Sequence, residues 1–217
     1  MSKPAHTSSE TARWRRRKEA RPQEILEAAL AVFAEKGFSA ARMEDISQRA
    51  GVTKGTIYLY FDSKEALFKA LVRESLAPTI RGVIEQVRAY QGSSRDLLVL
   101  VLTTVGTFIR TSDRVVLPKI VIAEAGNFPE LVRFYREEII DKGLGMLEQV
   151  IARGIARGEF RKMEPRHVAR LCMAPILFAA MWRATFAHLD AQPYDYEGLI
   201  STHIDTLLRG ISAGDKT

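Results

Sequence analysis

The chain of 217 residues has one cysteine, Cys172. No disulfide can close within it, so the fold is held by packing, and a lone thiol suits a reducing compartment. Histidine is also scarce. His6, His167, His188 and His203 are scattered, and none has the company of a zinc ligand set. There is no glycine-rich phosphate loop, no nucleophile motif and no cluster of acids, bases or metal ligands. The reading is therefore a protein that is not an enzyme and uses no cofactor and no metal. Long apolar runs are missing too. The longest, Leu171 to Trp182, has 12 residues, too short to span a bilayer and suited to a buried helix. The N-terminus is polar and then basic, without the apolar core of a secretory leader. The expectation is a cytoplasmic protein with no membrane partner.

What is present is an ordinary hydrophobic fraction of 47%, enough at this length for one or two packed domains. The net charge of +6 is unevenly spread. Residues 1–21 carry seven Lys/Arg against two Glu, whereas residues 22–75 carry seven basic and eight acidic side chains. Attraction to a polyanion therefore rests on the tail, centred on Arg13-Trp14-Arg15-Arg16-Arg17-Lys18, plus a few placed side chains further on. Residues 1–21 read as a flexible basic arm, with Arg15, Arg16 and Arg17 as contacts to a DNA backbone or minor groove.

The run from Met43 to Phe61 organises the rest. Met43, Ile46 and Ala50 recur at three and four, giving one apolar helical face. Gly51 sits where that helix must stop, and Thr53 is a good N-cap for a second helix. This second helix exposes Lys54, Gly55, Thr56, Tyr58 and Leu59 and buries Ile57. Helix, glycine turn and second helix with small, basic and aromatic residues at its start form the layout of a DNA-reading helix-turn-helix. Before it, Ile25, Ala28, Ala29, Val32 and Phe33 predict a helix that opens at Pro22 and ends at Gly37. After it, Ser63 caps a helix carrying Leu67, Phe68, Leu71, Val72 and Leu76, with a kink near Ala77 imposed by Pro78. The remaining helices are predicted from Ser93 to about Ser112, Val115 to Ala125, Pro129 to about Arg157, Pro165 to about His188 and Tyr196 to Ile211.

Gly37-Phe38, Asp45-Ile46, Ala50-Gly51-Val52-Thr53-Lys54-Gly55-Thr56-Ile57-Tyr58, Tyr60-Phe61 and Ser63-Lys64-Glu65 resemble the DNA-binding head of the TetR/AcrR family of transcriptional regulators. Further on, Ile122-Ala123-Glu124-Ala125, Phe128-Pro129-Glu130-Leu131 and Phe134-Tyr135 resemble one subgroup of it. The resemblance implies an all-α fold of about nine helices. A three-helix head at 22–68 would follow the arm at 1–21, and residues 69–217 would form an effector-binding and dimerisation domain. On the head, Lys54, Thr56 and Tyr58 are expected to face base edges or phosphates, Gly55 to admit the DNA backbone, and Thr53, Leu59 and Tyr60 to lie against it. Lys64 is a phosphate contact by resemblance. At Ala41-Arg42 the family usually has Thr or Ser, so Arg42 is expected to reach a phosphate itself, at a loss of about 1 kcal/mol of cap stability. Ser47 replaces the usual Ala.

The resemblance further implies a homodimer on double-stranded DNA with a near-palindromic site. In the family the final two helices pair with those of the partner. The stripe Leu199, Ile200, His203, Ile204, Leu207, Leu208 and Ile211 is the expected interface, unless it only covers its own core. An apolar effector cavity is expected among Phe108, Met146, Phe178, Met181 and Trp182, with Glu124, Tyr135 and Arg183 as polar handles. The functional reading is a repressor released by a small hydrophobic effector. The alternative is a DNA-binding dimer without an effector, acting architecturally or through a protein partner.

Overall fold

The computed structural model of the chain describes residues 8–214, with the backbone alone for residues 8–20. Eleven α-helices are described: α1 Ser8–Lys36, α2 Met43–Arg49, α3 Lys54–Tyr58, α4 Lys64–Ser75, α5 Ala77–Ala89, α6 Ser94–Thr111, α7 Val116–Ala123, α8 Pro129–Tyr135, α9 Asp141–Ala156, α10 Pro165–Thr185 and α11 Tyr196–Ile211. A π-helical turn at Arg136–Ile140 joins α8 to α9 without a break. Taking α8–α9 as one rod and α4–α5 as one kinked rod gives the nine expected. Among the described residues no strand forms, only an isolated bridge between Phe160 and Ser212. The chain divides into two compact units, Met1–Leu71 and Val72–Thr217.

In the first unit, Phe33, Phe38 and Phe68 converge, with ring centroids 5.1, 5.7 and 6.4 Å apart. Ile25, Ile46 and Ile57 are fully buried beside them in the sequence order of the three helices they anchor. Two glycines make the turns. Gly37 has φ of 75° and Gly51 has φ of 63°, the left-handed region that costs other L-residues 1–2 kcal/mol, roughly. The buried Ser47 hydroxyl donates to the Glu44 carbonyl at 2.9 Å, so this departure from alanine leaves no unpaired group.

The arm is a correction. The backbone of residues 8–21 continues α1 as helix, and Pro22 lies inside the helix rather than at its start. Ala, Arg, Lys and Glu dominate this stretch, and all are good helix formers. The side chains of Arg15, Arg16 and Arg17 lie outside the described residues.

In the second unit α6 is central, as its all-round apolar sequence predicts. Leu97, Leu98, Val101 and Leu102 are buried, and α5, α9, α10 and α11 pack around it. Proline acts where expected: α4 ends at Ser75, and α5 restarts at Ala77 with Pro78 in its first turn. Gly158, with φ of 72°, follows the end of α9. α10 has 21 residues and is long and apolar enough to cross a membrane by length and composition, which the 12-residue apolar run did not suggest. Its Cys172, Ile176, Ala179 and Ala180 are instead buried in this unit. Burial pushes the Cys172 thiol up to about 12.

Phe68→Ala empties the centre of the aromatic triad. It should destabilise the protein by about 3–5 kcal/mol, measured by urea unfolding.

Candidate nucleic-acid interface and interior cavity

α3 is presented by a capped turn. The Thr53 hydroxyl accepts from the Thr56 amide at 3.2 Å, and the two threonine hydroxyls are 2.8 Å apart. Both are thus partly engaged in shaping the helix start. Ile57 is buried, so the opposite face is fixed outward: Tyr58 is exposed and Leu59 is 81% exposed. Lys54 is also exposed and pairs with Glu44 of α2. Their hydrogen bond holds the Glu44 carboxyl below its usual range and the Lys54 ammonium above its own. Lys54 is therefore a cation throughout the physiological range, available to a phosphate by exchange with Glu44. Tyr60 is half-buried, with its ring 6.5 Å from that of Phe61.

Gly55 differs from the two turn glycines. A side-chain carbon there would meet nothing nearer than the Thr53 hydroxyl at 3.9 Å, and its φ is not positive. The head's own packing does not require glycine at this position.

One residue expected at DNA has work within the head. Lys64 donates to the carbonyls of Phe38, Ser39 and Ala41 at 2.8, 2.9 and 3.3 Å, and its ammonium lies 4.8 Å from the centre of the Phe38 ring. It closes the end of α1 against the start of α4, because the orphan carbonyls of the α1–α2 turn need donors. Three of its donors are thus committed within the head. Arg42 has no acceptor with which to cap α2, as expected. The loss is partly made good by Asp45, whose carboxylate accepts from the Arg42 amide at 3.1 Å and pairs with Lys36 at 2.8 Å. The guanidinium of Arg42 remains exposed at the helix start.

The second unit encloses a cavity of about 490 Å³. Its wall is almost wholly aliphatic, with Ile80, Val101, Val105, Ile109, Ile139, Leu144 and Met173 among its residues. Phe108, Tyr135 and Met146 line it as predicted. Ile122, Ile140 and Leu177 line it and are also exposed, so the cavity opens to solvent beside them. Arg114 and Arg170 belong to the same wall.

The other expected pocket residues do not line it. Glu124 is buried but accepts from the Asn127 side chain at 3.1 Å, closing the turn after α7. Phe178 and Met181 lie one position round α10 from the lining residues Leu177 and Ala180, and Trp182 lies two positions from Ala180. That rotates the first two about 100° away and the third about 200°. Trp182 sits in an aromatic group with Phe178, Phe186 and Tyr194, at 5.8, 5.1 and 5.9 Å, and donates to Asp190 at 2.9 Å. Arg183 donates to the carbonyls of Ile109 and Ser112 at 2.5 and 2.8 Å.

The α11 stripe is likewise corrected. Ile200, Leu208 and Ile211 are buried in the unit's own core, and Ile204 and Leu207 pack against it. Ile200 approaches Gly106 so closely that a side-chain carbon there would meet it at 2.8 Å. His203 is 2.9 Å from the Cys172 carbonyl. Leu199 and His203 are only half-buried. Large apolar side chains are left exposed on and after α10, among them Leu171 and Phe178 at 60% and 56%, and Phe186 and Leu189 just past its end. Their spacing of seven and eight residues was visible in the sequence but was absorbed into the reading of α10 as a wholly buried helix.

Residues 25–71 match the family model for bacterial regulatory proteins of the tetR family, and residues 89–193 match that for the tetracyclin repressor-like C-terminal domain. The chain is 26% identical over 196 residues to the fatty acid metabolism regulator protein of Bacillus subtilis (strain 168), covering 89% of this chain and 98% of that one. It is 31% identical over 153 residues to the HTH-type transcriptional regulator YfiR of the same strain, covering 68% and 72%. Among solved structures it resembles that of FadR from Bacillus subtilis in complex with stearoyl-CoA, with TM-score 0.72 and 24% identity over 87% of this chain and 98% of that one. A transcriptional regulator from Saccharomonospora viridis in complex with choline gives TM-score 0.72 and 20% identity over 90% and 98%. These two structures bear on the fold. The relatives are transcriptional regulators, and no catalytic family is indicated.

Gly55→Ala should leave the head folded, with a gain of up to about 1 kcal/mol from helix propensity, while specific duplex binding weakens. Gly51→Ala should instead lose about 1–2 kcal/mol. Thermal melts alongside fluorescence-anisotropy titration of duplex DNA separate the two effects.

Proposed function

Since this chain belongs to the tetR family of bacterial regulatory proteins and is a DNA-binding transcriptional regulator, we propose that it acts as a cytoplasmic homodimeric repressor, released from a near-palindromic operator by an apolar effector. The observation that carries the effector is the cavity of about 490 Å³ with its aliphatic wall. A purely architectural DNA-binding dimer would gain stability by filling that space, since cavities of this kind cost free energy in proportion to their size. The wall offers hydrocarbon far more than aromatic surface, which favours a chain over a flat ring system. The relative named as a fatty acid metabolism regulator and the solved complex with stearoyl-CoA support an effector that carries a long acyl chain.

In this reading Lys54, Gly55, Tyr58 and Leu59 lie in the major groove, Lys54 exchanging Glu44 for a phosphate. Thr53, Thr56 and Tyr60 shape or flank that surface, and Arg42 reaches the backbone beside it. Two heads are needed, because five residues of one short helix read too little sequence alone; two-fold symmetry then matches half-sites about one helical turn apart. The exposed α10 stripe, with Leu199 and His203 of α11, supplies the apolar face for the partner subunit. α4 begins in the head, and Leu76, the residue after its end, lines the cavity. An effector acts by preferring a body conformation in which the heads no longer fit DNA. Moving the population from 99:1 to 1:99 needs a differential affinity of about 5.5 kcal/mol.

The direct experiment is protection of genomic DNA by the purified protein, followed by titration with long-chain acyl compounds. One palindromic segment should be protected and then released. Lys54→Met should flatten the log–log dependence of binding on salt by about 1, measured by anisotropy at several salt concentrations. The double change Leu171→Asp and Phe178→Asp should yield a folded monomer by sedimentation, with operator binding lost.

A further inference from the structure

The cavity contains a buried polar group with no partner among the described residues. Tyr135 is only 6% exposed and lines the cavity. Its hydroxyl has no hydrogen-bond partner among the described residues, yet it is not sealed in protein like that of Tyr196, whose oxygen is buried without a partner. The free space that Tyr135 borders is the cavity. Burying a hydroxyl in an aliphatic enclosure without a partner is costly, and native proteins rarely tolerate it without a compensating role.

The backbone shows how Tyr135 reaches this position. It is the last residue of α8, immediately before the π-turn at Arg136–Ile140. Tyr135 and Leu147 both line the cavity. In an uninterrupted α-helix, at 3.6 residues per turn, two residues twelve apart stand about 120° apart around the axis. The extra residue absorbed by the wider turn reduces this to about 20°. The turn rotates Tyr135 onto the cavity face that Gly143, Met146 and Leu147 of α9 present. Turns of this kind are rare and concentrate at functional sites.

We propose that Tyr135 is the specificity-determining hydrogen-bond donor of the cavity, selecting an effector that carries an acceptor oxygen, such as a carbonyl, on an otherwise aliphatic body. This rests on the reading of the cavity as an effector site. Burial keeps the phenol well above its usual range, so it remains a donor at every physiological pH. An unsubstituted hydrocarbon fills the cavity but leaves the hydroxyl unpaired. A chain with a carbonyl satisfies it. Discrimination then comes from the unmet donor, which penalises a ligand without the oxygen.

The test uses the full-length protein and its Tyr135→Phe variant, with 2-dodecanone, 6-dodecanone and dodecane as probes in equilibrium dialysis. At least one ketone should bind the variant about tenfold more weakly than the unaltered protein, while dodecane binds both alike and shows that the variant's cavity is intact. If dodecane binds both proteins and neither ketone distinguishes them, Tyr135 is not the donor and the effector-site reading survives. If no probe binds either protein, the effector site fails and this proposal falls with it.

Discussion

A helix of five residues has no stability of its own, since nucleation alone outweighs what so few hydrogen bonds return. α3 persists because Ile57 is fully buried against the rest of the head and Thr53 caps the first turn. That single anchor decides which residues face out. With Ile57 in, Lys54, Tyr58 and Leu59 have no alternative but to point at solvent. The left-handed backbone at Gly51 sets the angle at which the helix is offered, and the aromatic triad keeps the platform rigid. Function at the surface is thus a consequence of one isoleucine beneath it.

The second unit follows the opposite logic. Its centre is dense where α6 meets α9, α10 and α11, with Leu97, Leu98, Leu102 and Ile151 sealed. Beside that density a large aliphatic space is left open. The packing that supports it is tight enough that Gly106 admits Ile200 and would admit nothing larger. Such a body is stable by virtue of one half and responsive by virtue of the other, and the π-turn lies in the wall of the responsive half.

Much of the head was legible in the sequence because its signals are local. A glycine that ends a helix, a threonine that caps the next and an isoleucine flanked by exposed residues each act within a few positions. The structural work of Lys64 was not legible because its partners are the carbonyls of Phe38, Ser39 and Ala41, more than twenty residues away. In the body, periodicity located the helices but could not say what each stripe is buried against. Ile200, Leu208 and Ile211 read as an interface and are core, while Leu171 opens a run that reads as a buried helix and is exposed. Phe108, Tyr135 and Met146 line the cavity. Phe178, Met181 and Trp182 do not: a shift of one or two residues around a helix is invisible when the neighbours are apolar, and Glu124 closes a turn instead. The π-turn has no signature in composition, and its extra residue shifts the phase of every position after it.

Cys172 is fully buried on α10, its carbonyl 2.9 Å from the ring nitrogen of His203, and its thiol is held protonated by burial. Alkylating reagents and peroxides act on exposed thiolates. The folded regulator is therefore deaf to electrophiles and to oxidative stress through its one sulfhydryl. The same seclusion turns that sulfur into an internal clock for opening of the body: its rate of chemical labelling counts how often α10 comes away from its neighbours.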